Sequence, residues 1–225
     1  ISRFALTDSR ITDDSMASSA SSVFSNRQQR DSCAFCFDVL HNHLKAQDLA
    51  HKQIPDPDLP NGKFPLFVTW KIFDKKRSYW KLRGCIGTFE PRHLNQGLKD
   101  YALISALKDS RFSPISLPEL SLLSVNTSFL TDFEDAKDCM DWKVGVHGIS
   151  ISFSVQYKSY SATYLPEVCP EQGWSKEECL DSLIRKAGYQ RRIHSKLRSS
   201  ISLTRYQSVK TSMTYEEYEK LRDER

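Results

Sequence analysis

The sequence predicts an α+β fold, with a mixed, largely antiparallel sheet packed with helices. Three observations carry that prediction. Leu66, Val68, Trp70 and Ile72, and later Ile149, Ile151, Phe153, Val155 and Tyr157, recur in steps of two, as in strands with one covered face. Cys33, Cys36, Phe37, Leu40 and Leu44, and then Cys179, Leu180, Leu183, Ile184 and Ala187, recur at helical steps and form apolar stripes. Finally, the strands are separated by hairpin-like turns as well as by helices, without the regular alternation of a doubly wound sheet.

Taken in order, residues 1–30 hold many serines and no sustained period, so they read as a flexible leader, and one domain with a possible small subdomain is expected over 31–221. Asp31 or Ser32 is placed to cap the first helix. Pro55, Pro57, Pro60, Pro65 and Asn61-Gly62 then rule out helix or inner strand up to residue 65. After the strand over 66–72, Asp74-Lys75-Lys76-Arg77 is a solvated turn and Tyr79 to Phe89 the returning strand, bent or bulged at Gly84 and Gly87. Leu98, Tyr101, Ala102, Ser105 and Ala106 suit a helix in which Gly97 has no obvious benefit, and Pro118 suits the first turn of a short one. In the strand over 123–129, Ser124, Asn126 and Ser128 form a face expected to meet water or polar neighbours. A further strand is expected over 161–165 and another around Ile201 to Arg205. Ser175 with Glu178, and Thr214 with Glu217, have capping-box spacing, and Gly188 is a helix stop.

Composition narrows the function. A chain of 225 residues with 39% hydrophobic residues, 9 Tyr and 12 Phe can bury a substantial core, which excludes a disordered protein. The 32 basic and 28 acidic residues leave a net charge of +4 without a dense basic run, so nucleic-acid binding is not expected. The strongest basic stretch, Arg191 to Arg198, reads as a solvated connection. Six irregularly spaced cysteines, with no basic-then-apolar leader before them, point to a reducing interior compartment and no disulfides. No apolar run of about 18 residues is present to span a membrane.

The chemical candidates lie in separated turns. Leu82-Arg83-Gly84-Cys85-Ile86-Gly87 is the densest: the glycines admit close approach, Arg83 can clamp an anion, and an exposed thiolate at Cys85 could attack carbon or sulfur. The bland alternative is a glycine-bent strand with Cys85 in the core and Arg83 paired to a carboxylate. Asp109 and Arg111 sit where a helix ends, in geometry free enough for an ion pair or a ligand clamp. His147, between Gly145 and Gly148 near a sheet edge, could exchange a proton near neutral pH or simply complete a turn. Tyr164 and Trp174 could line a groove, Glu167 could act as a base and Gln172 could hydrogen-bond a polar ligand. Arg205 beside Tyr206 offers another anion contact. Cys33-x2-Cys36 with His41 and His43 lacks zinc-finger spacing and reads as core, so no metal is assigned. Phosphate-loop, dinucleotide, HExxH and GxSxG motifs are absent from the sequence, and no cofactor is expected.

Leu82 to Gly87, Ala106-Leu107-Lys108-Asp109-Ser110-Arg111-Phe112, Val144 to Gly148, Ala162 to Val168, Glu171 to Trp174 and Leu203 to Tyr206 together resemble the AMMECR1 family over most of residues 31–218. The resemblance implies a mixed α/β fold with a larger body and a smaller subdomain, and a family whose biochemical activity is unsettled. It marks Arg83, Gly84, Cys85 and Gly87 as a suspected functional centre. Animal members imply nuclear or cytoplasmic placement, and related prokaryotic domains joined to Memo-like modules imply a Memo-like partner by association only. The approach Lys75 to Lys81 is longer than the family's, which implies an enlarged hairpin.

The expected function is therefore an intracellular binding or regulatory domain presenting a cleft to a small polar ligand or a protein partner. Arg83, Gly84, Gly87, Asp109, Arg111, Tyr164, Gln172, Trp174 and Arg205 are the candidate ligand contacts. The alternative is an enzyme using Cys85 as nucleophile with His147 or Glu167 as acid or base.

Overall fold

A computed structural model describes residues 23–45 and 54–224. Helices α1 (Asn26–Lys45) and α2 (Leu94–Leu107) accompany strands β1 (Lys63–Asp74), β2 (Tyr79–His93) and β3 (Leu123–Asp135), with a 3-10 turn at Leu117–Leu122. Strands β4 (Gly148–Val155) and β5 (Lys158–Tyr164) then precede α3 (Val168–Glu171), α4 (Lys176–Lys186) and α5 (Ser195–Ser199), and the chain continues through β6 (Ser202–Thr214) to α6 (Tyr215–Asp223). The six strands are hydrogen-bonded in the order β2-β1-β3-β6-β4-β5. β1 is antiparallel to β2 and β3, and β4 is antiparallel to β5 and β6. This is the mixed α+β fold the periodicities predict.

The chain divides into two compact units, residues 131–208 on one side and the described residues before 131 together with those after 208 on the other. β3 and β6 contribute residues to both. In the unit that holds the N-terminal helix, Leu66, Val68 and Trp70 of β1 pack with Cys33, Phe37 and Leu40 of α1 and with Leu98 and Ala102 of α2. Each fully buried Leu or Phe there contributes about 1.5–3 kcal/mol before opposing entropy. The indole N–H of Trp70 donates to the Ala102 carbonyl at 3.0 Å, which ties α2 to the sheet. In the other unit Ile149, Ile151 and Phe153 of β4 meet Leu180, Leu183 and Ile184 of α4. The capping boxes at Ser175/Glu178 and Thr214/Glu217 form as their spacing predicts, and Gly188, at φ +97°, ends α4.

Several expectations need correction. α1 starts at Asn26 rather than near residue 31, because Ser25 and Gln28 cap it reciprocally: the Gln28 N–H donates to Ser25 Oγ at 3.2 Å and the Ser25 N–H to Gln28 Oε1 at 3.0 Å. Ser32 lies inside the helix, and its hydroxyl shares a buried bond of 2.9 Å with Thr127. Residues 1–22 of the expected leader lie outside the described residues, whereas 23–30 already belong to the fold, with the Phe24 ring stacked on Phe129 at 4.6 Å. β1 starts before Pro65 although it is an inner strand, since Pro65 sits at a register shift between Phe64 and Leu66 where its missing N–H breaks no regular pairing. Gly97 does have a helical use: a Cβ there would lie 2.5 Å from Leu66 Cδ2, so its absence brings α2 down onto β1. Of the face expected to meet water or polar neighbours, Asn126 stays partly exposed and lies opposite Thr69, while Ser124, opposite Lys71, and Ser128 are closed to water, because short side chains on an inner strand are shaded by their neighbours. Cys33 and Cys36 are core, as read.

Candidate functional site

β2 is an end strand of the sheet, so its outer backbone groups have no strand partner. At Cys85 two side chains take that place. The Cys85 N–H donates to Asp109 Oδ2 at 2.9 Å, and the Cys85 carbonyl accepts from Arg111 Nη2 at 3.1 Å. Asp109 and Arg111 are themselves joined through Nε to Oδ1 at 2.9 Å and Nη2 to Oδ2 at 2.6 Å, and the Arg111 N–H closes a turn onto Oδ1 at 3.2 Å. A donor and an acceptor held two residues apart on one loop thus imitate a short piece of neighbouring strand. Arg111 beside it holds the Asp109 carboxyl down at about 2, aided by the two backbone N–H groups.

The thiol of Cys85 faces away from the helices. Trp70, fully buried, is paired with Gly84, so Thr69 and Cys85, the next pair, point to the opposite side with Asn126 beside them. The Thr69 hydroxyl donates to Cys85 Sγ at 3.0 Å. Burial pushes the Cys85 thiol up, the Asp109 charge adds to that, and the Thr69 bond with the charges of Arg111 and Lys210 opposes it. Thr69 was not legible as a site residue, since it lies on β1 and only register brings it to Cys85, while Lys210 acts on the thiol through its charge alone, from β6.

Arg83 is committed elsewhere. Its guanidinium takes Glu119 through Nε at 2.8 Å and Nη2 at 3.1 Å, and the carbonyls of Ser113 and Pro114 at 2.6 and 3.2 Å. Glu119 also completes a capping box with Ser116, so one carboxylate fastens both the 3-10 turn and β2. At Gly84 the place of a Cβ is taken by the Ser105 carbonyl, and at Gly87 by the Phe67 ring and the Leu66 carbonyl. Packing accounts for both glycines.

The remaining candidates lie in the other unit. Arg205 bridges Glu134 at 2.8 Å and Asp141 at 2.8 Å, and it also takes the Asp141 carbonyl at 2.9 Å. His147 accepts the Lys143 N–H on Nδ1 at 3.0 Å, and partial burial followed by the Arg205 charge lowers its pKa. Tyr164 lies 6.1 Å from the Trp174 ring, donates to or accepts from Ser182 at 3.1 Å, and has Lys186 Nζ 4.6 Å above it. Glu167 precedes α3 and Gln172 follows it, exposed. Of the residues singled out from sequence, Cys85, Asp109 and Arg111 form one hydrogen-bonded cluster, with Arg83 two residues away on the same strand. His147 and Arg205 share a second environment. In the basic stretch, Arg191 is taken by Gln156 at 2.8 Å and Arg198 by Asp181 at 2.7 Å. Among the described residues no group of three or more His, Cys, Asp or Glu could hold a metal, and no helix is long and apolar enough to cross a membrane.

A helix-backed antiparallel sheet, with an arginine–carboxylate pair sealing an end strand at a cysteine, defines a small α+β domain whose best-organised polar cluster is on that strand. The chain belongs to the AMMECR1 family, whose model matches residues 33–211. It is 49% identical over 191 residues to an uncharacterized protein of Arabidopsis thaliana, covering 84% of this chain and 86% of that one. With an uncharacterized protein of Schizosaccharomyces pombe it shares 44% over 195 residues, covering 84% and 95%. The crystal structure of the uncharacterized protein PH0010 from Pyrococcus horikoshii superposes with a TM-score of 0.64 at 27% identity, covering 82% of this chain and 91% of that one.

Proposed function

We propose that this is an intracellular binding or regulatory domain, nuclear or cytoplasmic, that takes a small anionic ligand bearing a carboxylate or phosphate at the Cys85–Asp109–Arg111 cluster. One observation carries the reading. The Arg111 guanidinium is braced by Asp109 and the Cys85 carbonyl through Nε and Nη2, while Nη1 makes no hydrogen bond among the described residues and the side chain is 42% exposed. A cation held rigid on one edge and open on the other loses little entropy on meeting an anion. The Lys210 charge acts at Cys85 in the same direction as that of Arg111, which favours the same sign of ligand. A Memo-like protein is the partner that family association suggests, and co-purification tests it separately.

Thermal unfolding with inorganic phosphate, citrate and glutarate, each in turn, tests the ligand. At least one should raise the midpoint of the natural protein, and Arg111→Lys, which loses the planar fork, should weaken that ligand about tenfold. Unchanged midpoints with every probe would remove the reading.

The covalent alternative, Cys85 acting with His147 or Glu167, fares less well because burial and Asp109 both push the thiol up and keep thiolate scarce at neutral pH. Alkylation of Cys85 by iodoacetamide at pH 7 is accordingly expected to be slower than that of a free thiol. Mass spectrometry showing it faster would restore the nucleophile.

A further inference from the structure

The β1–β2 hairpin ends in a turn of defined geometry. The Asp74 carbonyl accepts the N–H groups of Arg77 at 3.2 Å and Ser78 at 2.8 Å, its carboxylate accepts those of Lys76 and Arg77 at 2.9 and 3.2 Å, and Ser78 takes φ +53°. The register shifts just below, where Trp70 pairs with Gly84 but Lys71 with Leu82. The extra residue, Arg83, turns aside to Glu119. Beyond that bulge the apolar side chains meet water. Trp70 is fully buried, yet Tyr79, Trp80 and Leu82 are 43%, 39% and 41% exposed.

Their arrangement is regular. Phe73 and Trp80 are cross-strand partners with rings 5.2 Å apart, and Leu82 lies on the same face beside Lys71. Tyr79 occupies the other face, with Lys81 Nζ 5.4 Å over its ring. The tip is also strongly basic. Lys81 pairs with Asp74, whereas Lys71, Lys75, Lys76 and Arg77 make no ion pair with a carboxylate among the described residues. β2 is an end strand, and the cover that Asp109 and Arg111 give its outer edge at Cys85 involves no residue of the tip.

An open strand edge, alternating apolar side chains and a surplus of cations ask for one kind of occupant. We propose that residues 79–82 are a docking edge for an extended acidic segment of a partner protein, which adds as a further strand and sets its carboxylates against the turn lysines and its apolar side chains on Trp80 and Leu82. The unpaired backbone decides for a peptide, since a lipid surface or a nucleic acid can accept from its N–H groups but has no alternating row of donors and acceptors to complete the ladder. This surface shares no residue with the anion cluster, so either proposal can fail alone.

The full chain is tested with a short synthetic peptide alternating Glu with Val, with a Lys-and-Val peptide, oligothymidylate and vesicles of anionic lipid as competing probes. The Glu-and-Val peptide should bind saturably, weaken with salt, and protect the amides of residues 79–82 from hydrogen exchange. Trp80→Ser with Leu82→Ser, and separately Lys75→Glu with Lys76→Glu and Arg77→Glu, should each weaken it about tenfold, the first pair also lowering the unfolding midpoint by about 2–4 °C because the Phe73–Trp80 ring contact is lost. Equal binding of the Lys-and-Val peptide, protection elsewhere, or preference for the oligonucleotide or the vesicles would overturn the proposal, as would no binding at all.

Discussion

Replacing Gly84 with alanine is expected to destabilise the protein by about 3 kcal/mol or more and lower its unfolding midpoint by about 10 °C. A Cβ at this position would stand 2.0 Å from the carbonyl oxygen of Ser105. That oxygen is backbone in the last turn of α2 and cannot swing aside as a side chain would. Moving it moves the helix, and with it the bond from the Trp70 indole to Ala102 and the loop that carries Asp109 and Arg111. Gly173 supplies the contrast, because it has open space around it but φ +67°. Gly173→Ala should cost only the backbone strain, about 1 kcal/mol. Denaturant unfolding of the two variants side by side separates crowding from strain. If Gly84→Ala proves as mild as Gly173→Ala, α2 yields easily and packing is not why glycine stands in this motif.

The fold was legible wherever a local rule acted alone. The alternation over 149–157 marks β4, although it overshoots: Gln156 and Tyr157 take φ +50° and +63° and make the hairpin turn, so periodicity continued past the strand it described. The boxes at Ser175 and Thr214 are equally local. The start of α1 was missed because the apolar stripe begins later than the cap, and Pro65 because a bulge excuses a proline that strand chemistry forbids. At the site, Asp109 and Arg111 could be read as an ion pair since both sit on one loop, and Arg83 could be read as needing a carboxylate. That the carboxylate is Glu119 depends on how the 3-10 turn folds back. Thr69 had no sequence signal, because nothing within one strand reveals the register of the next.

Asp109→Asn should lower stability at neutral pH by about 2 kcal/mol and abolish one acid-sensitive component of it. The carboxyl is held at about 2 when folded, against an ordinary value of 3.8. Its contribution is thus fully present above the ordinary value and is lost as pH falls through about 2. The natural protein and the variant should therefore differ most at neutral pH and converge between about pH 4 and pH 2. Part of the loss is geometric: the amide N–H groups of Asn would face Cys85 N–H or Arg111, donor against donor. Part is recovered, because the Arg111 side chain is 42% exposed and water can solvate it. The substitution also removes the negative charge that helps hold the Cys85 thiol up, leaving Arg111 and Lys210 to favour thiolate. Under native conditions the variant should be less stable and yet alkylate faster at Cys85. A rate at Cys85 unchanged from the natural protein would show that Asp109 shapes the strand edge without tuning the thiol beside it. A faster rate counts as tuning only if its pH profile shifts to lower pH, because a loosened edge alone would raise the rate at every pH.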